Sequence, residues 1–109
     1  MKLFEVQTKV EGSGEYILGA KQTGSHACYL IYGRMNPKEK GRQLKAGNGH
    51  EELFIAIKGD FIVTGHESGR ITEGQAFQLT GEETFWLENA TDSPAVYVLS
   101  GGHSETGHH

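Results

Sequence analysis

Apolar residues occur along this chain in short runs in which apolar and polar positions alternate, and breaks containing glycine separate the runs. No window of about a dozen residues shows the spacing of an amphipathic helix. Because successive side chains of a β-strand lie on opposite faces, the alternation predicts an all-β fold. The ten predicted strands are Lys2–Gln7, Tyr16–Leu18, Tyr29–Met35, Arg42–Lys45, Glu52–Lys58, Phe61–Gly65, Arg70–Thr72, Gln75–Leu79, Thr84–Glu88 and Ala95–Leu99.

The breaks between these runs have the composition of turns. Gly59-Asp60 predicts a tight hairpin, and His66–Gly69 predicts a longer one. Glycine accounts for 16 of the 109 residues and proline for only two, which indicates the turns of a compact β-domain rather than disorder. Many short strands without a helix to cover the sheet edges favour a barrel or a two-sheet sandwich.

The length fits one domain. We predict a single β-barrel over residues 1–100, followed by a polar tail containing histidine and glycine over residues 101–109. The tail holds His103, His108 and His109 but has too few apolar side chains to join the core. Histidines in such a tail bind nickel adventitiously or stay unstructured more often than they serve a function.

Charge and cysteine content narrow the function classes. The net charge is −4, and the basic cluster at residues 38–45 is interrupted by Glu39 and has no aromatic stacking platform, so we do not expect a nucleic-acid partner. Cys28 is the only cysteine, which rules out an intramolecular disulfide and fits a reducing compartment; we expect its side chain to be buried. No segment has the apolar length of a signal peptide or membrane span, so we expect a cytoplasmic protein without a membrane partner.

Two segments resemble the conserved motifs of the cupin superfamily. The first cupin motif runs His-x-His, three or four residues, Glu, six residues, Gly, and Glu52 and Gly59 stand at its last two positions. The second runs Gly, five residues, Pro-x-Gly, two residues, His, three residues, Asn, and Gly74 and Asn89 match its ends. The resemblance covers about residues 46–89. It implies a cupin-type double-stranded β-helix, or jelly roll, in which Gly59, Gly74 and Asn89 are structural.

The metal ligands of a typical cupin are mostly replaced in this sequence. Two histidines and the glutamate of the first motif, with the histidine of the second, hold a divalent metal inside such a barrel, but the histidine positions here are Ala46, Asn48 and Phe85. The resemblance therefore implies that the standard four-ligand site cannot form. A non-standard divalent metal site stays open, because alternate residues of a strand share a face and His50 and Glu52 would be its ligands. Asn48, His26 or a tail histidine would have to complete it.

The favoured interpretation is a stand-alone cupin domain that binds a small molecule in a metal-free cavity. A carboxylate among apolar side chains has a raised pKa unless a cation or donor lies beside it, and His50 is the expected neighbour of Glu52. Such a pair could bind a hydroxyl or an amine, and the tyrosines at 16, 29, 32 and 97 are available donors. The expected pocket residues are Asn48, His50, Glu52, Phe54 and Phe85.

Two other hypotheses stay open. The chain could be a small enzyme, an isomerase, epimerase or metal-dependent dioxygenase, with His50 and Glu52 as catalytic candidates. Alternatively it could be an interaction module that uses the outer face around Trp86, since Trp86 follows Phe85 and faces the opposite way. The resemblance also implies a homodimer, because small cupins commonly dimerise.

Overall fold

The computed structural model describes residues 1–103, and nine β-strands dominate this part of the chain. A four-residue helix, α1 (Ala20–Thr23), and a 3-10 turn at Gln7–Lys9 accompany them. No helix within residues 1–103 has the length and apolarity needed to cross a membrane. The strands are β1 (Gly14–Leu18), β2 (Cys28–Met35), β3 (Arg42–Leu44), β4 (His50–Lys58), β5 (Phe61–Gly65), β6 (Gly69–Ile71), β7 (Ala76–Thr80), β8 (Phe85–Asn89) and β9 (Ala95–His103).

These strands form two antiparallel sheets that pack face to face. The five-stranded sheet has the order β1-β2-β9-β4-β7, and the four-stranded sheet has the order β3-β8-β5-β6. Alternate residues point inward and form one core. At its centre the Phe54 ring stacks on Tyr97 with centroids 5.1 Å apart and meets Phe61 edge-on at 5.4 Å. The arrangement is the predicted all-β jelly roll.

The predicted strand pattern agrees with the structure except at the two ends of the barrel. Lys2–Gln7 is not a strand, because the alternation there has no neighbouring strand with which to pair; Leu3 is instead exposed. Strand β9 continues to His103, three residues past the boundary predicted for the tail, and pairs with both β2 and β4 there. His108 and His109 lie outside the described residues.

The three residues assigned a structural role by the cupin motifs lie in turns or beside them. Gly59 and Gly74 both have left-handed backbone conformations, with φ of +86° and +88°. Asn89 is fully buried at the end of β8. Its Nδ2 donates hydrogen bonds to the backbone oxygens of Asn36 and Ser93 at 2.9 and 2.8 Å, and its Oδ1 accepts one from the backbone N–H of Thr91 at 2.9 Å. One side chain thus holds two loops together.

Cys28 corrects one expectation, since its side chain is exposed rather than buried. It begins β2 on the outer side of the five-stranded sheet and pairs with Gly102 of β9. A glycine partner has no side chain that could cover it, so the thiol remains open to solvent.

Candidate functional site

An open cleft of about 410 Å³ lies against the inner face of the five-stranded sheet. Strands β1, β2 and β4 each contribute two side chains, and the segment after β3 closes one side. Because the contributing residues are two apart on each strand, they all point to the same face. The lining residues are Glu15, Ile17, Tyr29, Ile31, Lys45, Ala46, His50 and Glu52.

Glu52 lies at the base of this cleft with only 5% of its surface exposed. The hydroxyl of Tyr29 donates a hydrogen bond to its Oε2 at 2.5 Å. No group within residues 1–103 donates a hydrogen bond to Oε1. None of the fully buried polar side-chain atoms described lacks a partner, so Oε1 keeps some exposed surface, and Glu52 lines the cleft. Burial raises the pKa of Glu52, and the negative charge of Glu15 adds to this, against the opposing effects of Tyr29 and His50.

Tyr29 reaches Glu52 by crossing the strand between them. Tyr29 on β2, Gly101 on β9 and Glu52 on β4 are direct neighbours in the sheet pairing. A Cβ atom at Gly101 would lie 2.3 Å from Cζ of the Tyr29 ring, so only glycine leaves room for the ring. Burial, followed by the hydrogen bond to Glu52 and the charge of Glu52, raises the pKa of Tyr29 strongly, and the hydroxyl stays protonated as a donor.

The same arrangement recurs on the other side of the cleft. Tyr97 on β9, Gly33 on β2 and Glu15 on β1 also lie in one row. The Tyr97 ring occupies the space over Gly33, and its hydroxyl donates a hydrogen bond to Oε2 of Glu15. Arg42 donates to the same hydroxyl at 3.1 Å. Two carboxylates therefore face the cleft, each bound by a tyrosine that crosses a glycine.

His50 lies on the same strand face as Glu52, and both line the cleft. Its ring meets Tyr29 edge-on at 6.0 Å and stacks on His103 at 5.1 Å. Its Nδ1 lies 3.2 Å from the backbone oxygen of Asn48. A smaller depression next to the cleft, about 230 Å³ in volume, includes His26 together with His50 and His103.

The other three predicted pocket residues do not line the cleft. Asn48 is exposed in the turn between Gly47 and Gly49, where the backbone N–H of His50 donates to the oxygen of Gly47 at 3.0 Å. Strand alternation starts only at His50, so Asn48 does not share the inner face. Phe54 and Phe85 are buried in the core, where both contact the Phe77 ring. The aromatic core fills the barrel behind Glu52 and leaves the cleft shallow.

Sequence reasoning missed Glu15 and the structural role of Gly33 and Gly101. One signal was available: β2 contains Tyr-Leu-Ile-Tyr-Gly over residues 29–33, and β9 contains Tyr-Val-Leu-Ser-Gly over residues 97–101. Each tyrosine is followed four residues later by a glycine. In an antiparallel pair this spacing sets each tyrosine opposite the partner strand's glycine, as the pairing shows.

Comparison with solved structures identifies the fold, whereas comparison of sequences does not. No protein-family profile and no curated protein matches the sequence. A cupin protein from Bacteroides fragilis aligns with 100% of this chain and 88% of its own, with a TM-score of 0.74 and 13% sequence identity. The chain has the cupin fold. At this identity the likeness extends to the fold alone.

Two cupin-fold enzymes also align with the chain. An oxalate oxidase aligns with 93% of this chain at a TM-score of 0.79 and 15% identity. A sugar phosphate isomerase of the cupin superfamily from Silicibacter pomeroyi aligns with 84% of it at a TM-score of 0.63 and 16% identity. The chain spans 59% and 60% of the lengths of these two proteins.

The residues of this cupin barrel do not fit the usual four-ligand metal centre. Within residues 1–103 no group of three or more histidine, cysteine, aspartate or glutamate side chains is arranged to hold a metal ion. Ala46 and Phe85 stand at histidine positions of the motifs, and Tyr29 already occupies one oxygen of Glu52. A cation at the cleft would meet carboxylates held by tyrosines rather than a cluster of imidazoles.

Proposed function

We propose that this cupin domain binds a small molecule in the cleft through a hydroxyl or protonated amine that contacts Glu52. One observation carries the proposal: Glu52 lines the cleft and is 5% exposed, one of its carboxylate oxygens is bound by Tyr29, and the other receives no hydrogen bond from residues 1–103. Burying a carboxylate costs free energy unless its oxygens receive hydrogen bonds. A ligand O–H or N–H at Oε1 supplies the missing bond.

The remaining lining supports a ligand that combines a polar group with a short apolar body. Ile17, Ile31 and Ala46 form an apolar wall. The ammonium group of Lys45 pairs with Glu82 at 2.8 Å, which offsets its charge. The volume of about 410 Å³ lies within the roughly 300–1,000 Å³ common for small-molecule sites. Sugars, hydroxy acids and amines are the classes to test.

Thermal-shift screening followed by titration calorimetry tests the proposal. We expect compounds of at least one class to raise the melting temperature, because they bind the folded state only. Glu52→Gln should abolish the shift. Glu51→Gln is the matched control, because Glu51 precedes Glu52 but faces the other side of the strand, and it should retain the shift. A wild-type protein that responds to no class, or equal loss in both variants, would contradict the proposal.

An acid–base enzyme is the second candidate, an isomerase or epimerase that uses Glu52 and His50. The observation favouring it is that both groups line one cleft and that burial raises the pKa of Glu52 toward the range useful for proton transfer. Incubating a bound sugar or hydroxy acid with the protein in D2O distinguishes the two functions. Exchange of a carbon-bound hydrogen that disappears in Glu52→Gln supports catalysis, whereas complete retention of carbon-bound hydrogen leaves binding alone.

A further inference from the structure

The cleft contains a second carboxylate besides Glu52, because Glu15 lines it from β1 at the edge of the five-stranded sheet. The two carboxylates lie in different rows of the strand pairing, and one apolar row separates them. In order, the three rows are Glu15, Gly33 and Tyr97; Ile17, Ile31 and Leu99; and Tyr29, Gly101 and Glu52. A ligand that extends across the rows therefore meets a carboxylate, then aliphatic side chains, then the other carboxylate.

Each carboxylate has one oxygen that no described residue binds. Tyr29 donates to Oε2 of Glu52, and Tyr97 donates to Oε2 of Glu15. Within residues 1–103 no hydrogen bond or ion pair involves Oε1 of either side chain. Arg42 reaches the Tyr97 hydroxyl but forms its ion pair with a residue other than Glu15. Both Oε1 atoms can therefore accept a hydrogen bond from a ligand.

The charge of the cleft lining favours a cation. Lys45 supplies the only lysine or arginine side chain among the described residues that line the cleft, and its ammonium group pairs with Glu82 at 2.8 Å. The negative charge of Glu15 contributes to the raised pKa of Glu52, so the two carboxylates repel each other. A cationic ligand relieves this repulsion, whereas the carboxylate of a hydroxy acid would add to it.

We propose that the ligand of the cleft is an aliphatic diamine, with one ammonium group at Glu52, the other at Glu15, and the carbon chain over Ile17 and Ile31. This inference rests on the proposed function and narrows its ligand to one chemical class. Each ammonium group donates to an Oε1 atom in a charge-assisted hydrogen bond. The methylene chain covers Ile17, which is 56% exposed in the structure. Glu15 is then the residue that selects a second cationic group.

A sugar suits this arrangement of rows less well than a diamine does. Hydroxyl groups surround a sugar ring, so contact with Ile17 and Ile31 would bury some of them without hydrogen bonds, at a cost in free energy. A diamine carries its polar groups only at its two ends. Its apolar middle therefore matches the apolar row, and its ends match the two carboxylates.

Titration calorimetry with matched ligands tests the second contact. Chain length decides whether both ammonium groups reach their carboxylates, so the series diaminobutane, diaminohexane, diaminooctane and diaminodecane is titrated first. The tightest diamine is then compared with the monoamine of equal chain length, which has a methyl group in place of one ammonium group. We expect the wild-type protein to bind the diamine roughly tenfold more tightly. An advantage of about twofold or less, which two equivalent ends give by statistics alone, overturns the inference.

Glu15→Gln tests which residue recognises the second ammonium group. The substitution removes the charge but keeps a side-chain oxygen that can accept the hydrogen bond from Tyr97. It should reduce the diamine's advantage over the monoamine to about twofold. Glu11→Gln is the matched control, because Glu11 is an exposed carboxylate just before β1 that does not line the cleft, and it should keep the full advantage. Equal loss in both variants, or full advantage in Glu15→Gln, overturns the inference.

Failure of this inference and failure of the proposed function give different results. A sugar or hydroxy acid that binds through Glu52, while no diamine of the series binds, overturns the inference and leaves the proposed function in place. Absence of binding by all three classes overturns both.

Discussion

At the scale of the residue, Glu52 combines burial with an incomplete set of hydrogen bonds. The bond from Tyr29 satisfies one oxygen, and Glu15 across the cleft adds negative charge. Burial and Glu15 together outweigh the stabilising effects of Tyr29 and His50, so the pKa of Glu52 is raised in the folded state. The folded protein therefore binds a proton at Glu52 more tightly than the unfolded chain does.

This difference predicts how stability depends on pH. Stability falls as pH rises from the unfolded-state pKa of Glu52, about 4.3, through its higher folded-state pKa, because the unfolded chain loses its proton first. Each unit of raised pKa costs about 1.4 kcal/mol above that range. Glu52→Gln removes the titration, so its free energy of unfolding relative to wild type should increase between about pH 4 and pH 8. Urea denaturation of both proteins at about pH 4 and about pH 8 measures this difference in the free energy of unfolding.

Glu51→Gln controls for a general effect of removing one negative charge. It should change stability by a similar small amount at both pH values. A constant difference between Glu52→Gln and wild type across the range would show that Glu52 titrates alike in the folded and unfolded states.

At the scale of the element, two rows of residues, each running across three neighbouring strands, form the floor of the cleft. Strands β2 and β9 each contribute one tyrosine and one glycine, and each tyrosine passes over the partner's glycine to a glutamate on the next strand. The antiparallel pair has a local two-fold relation centred on Ile31 and Leu99, which face each other. The pairing therefore generates two similar tyrosine–glutamate contacts from one pattern.

Gly101→Ala tests whether the cleft depends on this close approach. The added Cβ would lie 2.3 Å from the Tyr29 ring, so the ring must move and the hydrogen bond to Glu52 is lost. We expect a loss of about 2–4 kcal/mol in the free energy of unfolding, measured by urea denaturation, together with weaker ligand binding.

Gly69→Ala is the control for this substitution. Gly69 lies in β6, its φ is not in the left-handed region, and a Cβ there would meet nothing within 4 Å. Its stability should stay within about 0.5 kcal/mol of wild type. Equal losses at the two glycines would mean that backbone freedom, and not the space for Tyr29, decides the effect.

Local patterns explain which parts of this element structure could be predicted. Alternation identified the strands and set His50 and Glu52 on one face, because both properties depend only on neighbouring residues. The Tyr29–Glu52 contact joins residues 23 positions apart across an intervening strand, and a register of pairing is not written in either strand alone. The strand predicted over Lys2–Gln7 is absent for the same reason: its residues alternate as in a strand, but no neighbouring strand pairs with them.

At the scale of the whole molecule, the five-stranded sheet supplies most of the cleft. Its inner face carries six of the eight residues that line the cleft, and its outer face carries the exposed side chain of Leu53. The four-stranded sheet mainly covers the other side of the core, to which it contributes Phe61 and Phe85. The proposed ligand contact therefore depends mainly on one face of one sheet.

The homodimer that the cupin resemblance implies can be tested by measuring whether thermal stability depends on protein concentration. If the folded state is a pair, mass action favours it at higher concentration, and the melting temperature should rise on the order of 3 °C for each tenfold increase. Differential scanning calorimetry over a hundredfold range of concentration measures the slope. A wild-type melting temperature that stays constant would argue against the homodimer.

The two Tyr-x-x-x-Gly segments on β2 and β9 have a consequence for detecting such sites in other chains. Glycine in a strand interior is less favourable than alanine by roughly 0.5–1 kcal/mol, so two such glycines at matched positions of adjacent central strands point to a close approach that alanine would block. The four-residue spacing of each tyrosine and glycine can be read from the sequence alone. A search of other sequences for this pair of segments, with a glutamate on each flanking strand, would therefore find candidate barrels in which two tyrosines hold two carboxylates.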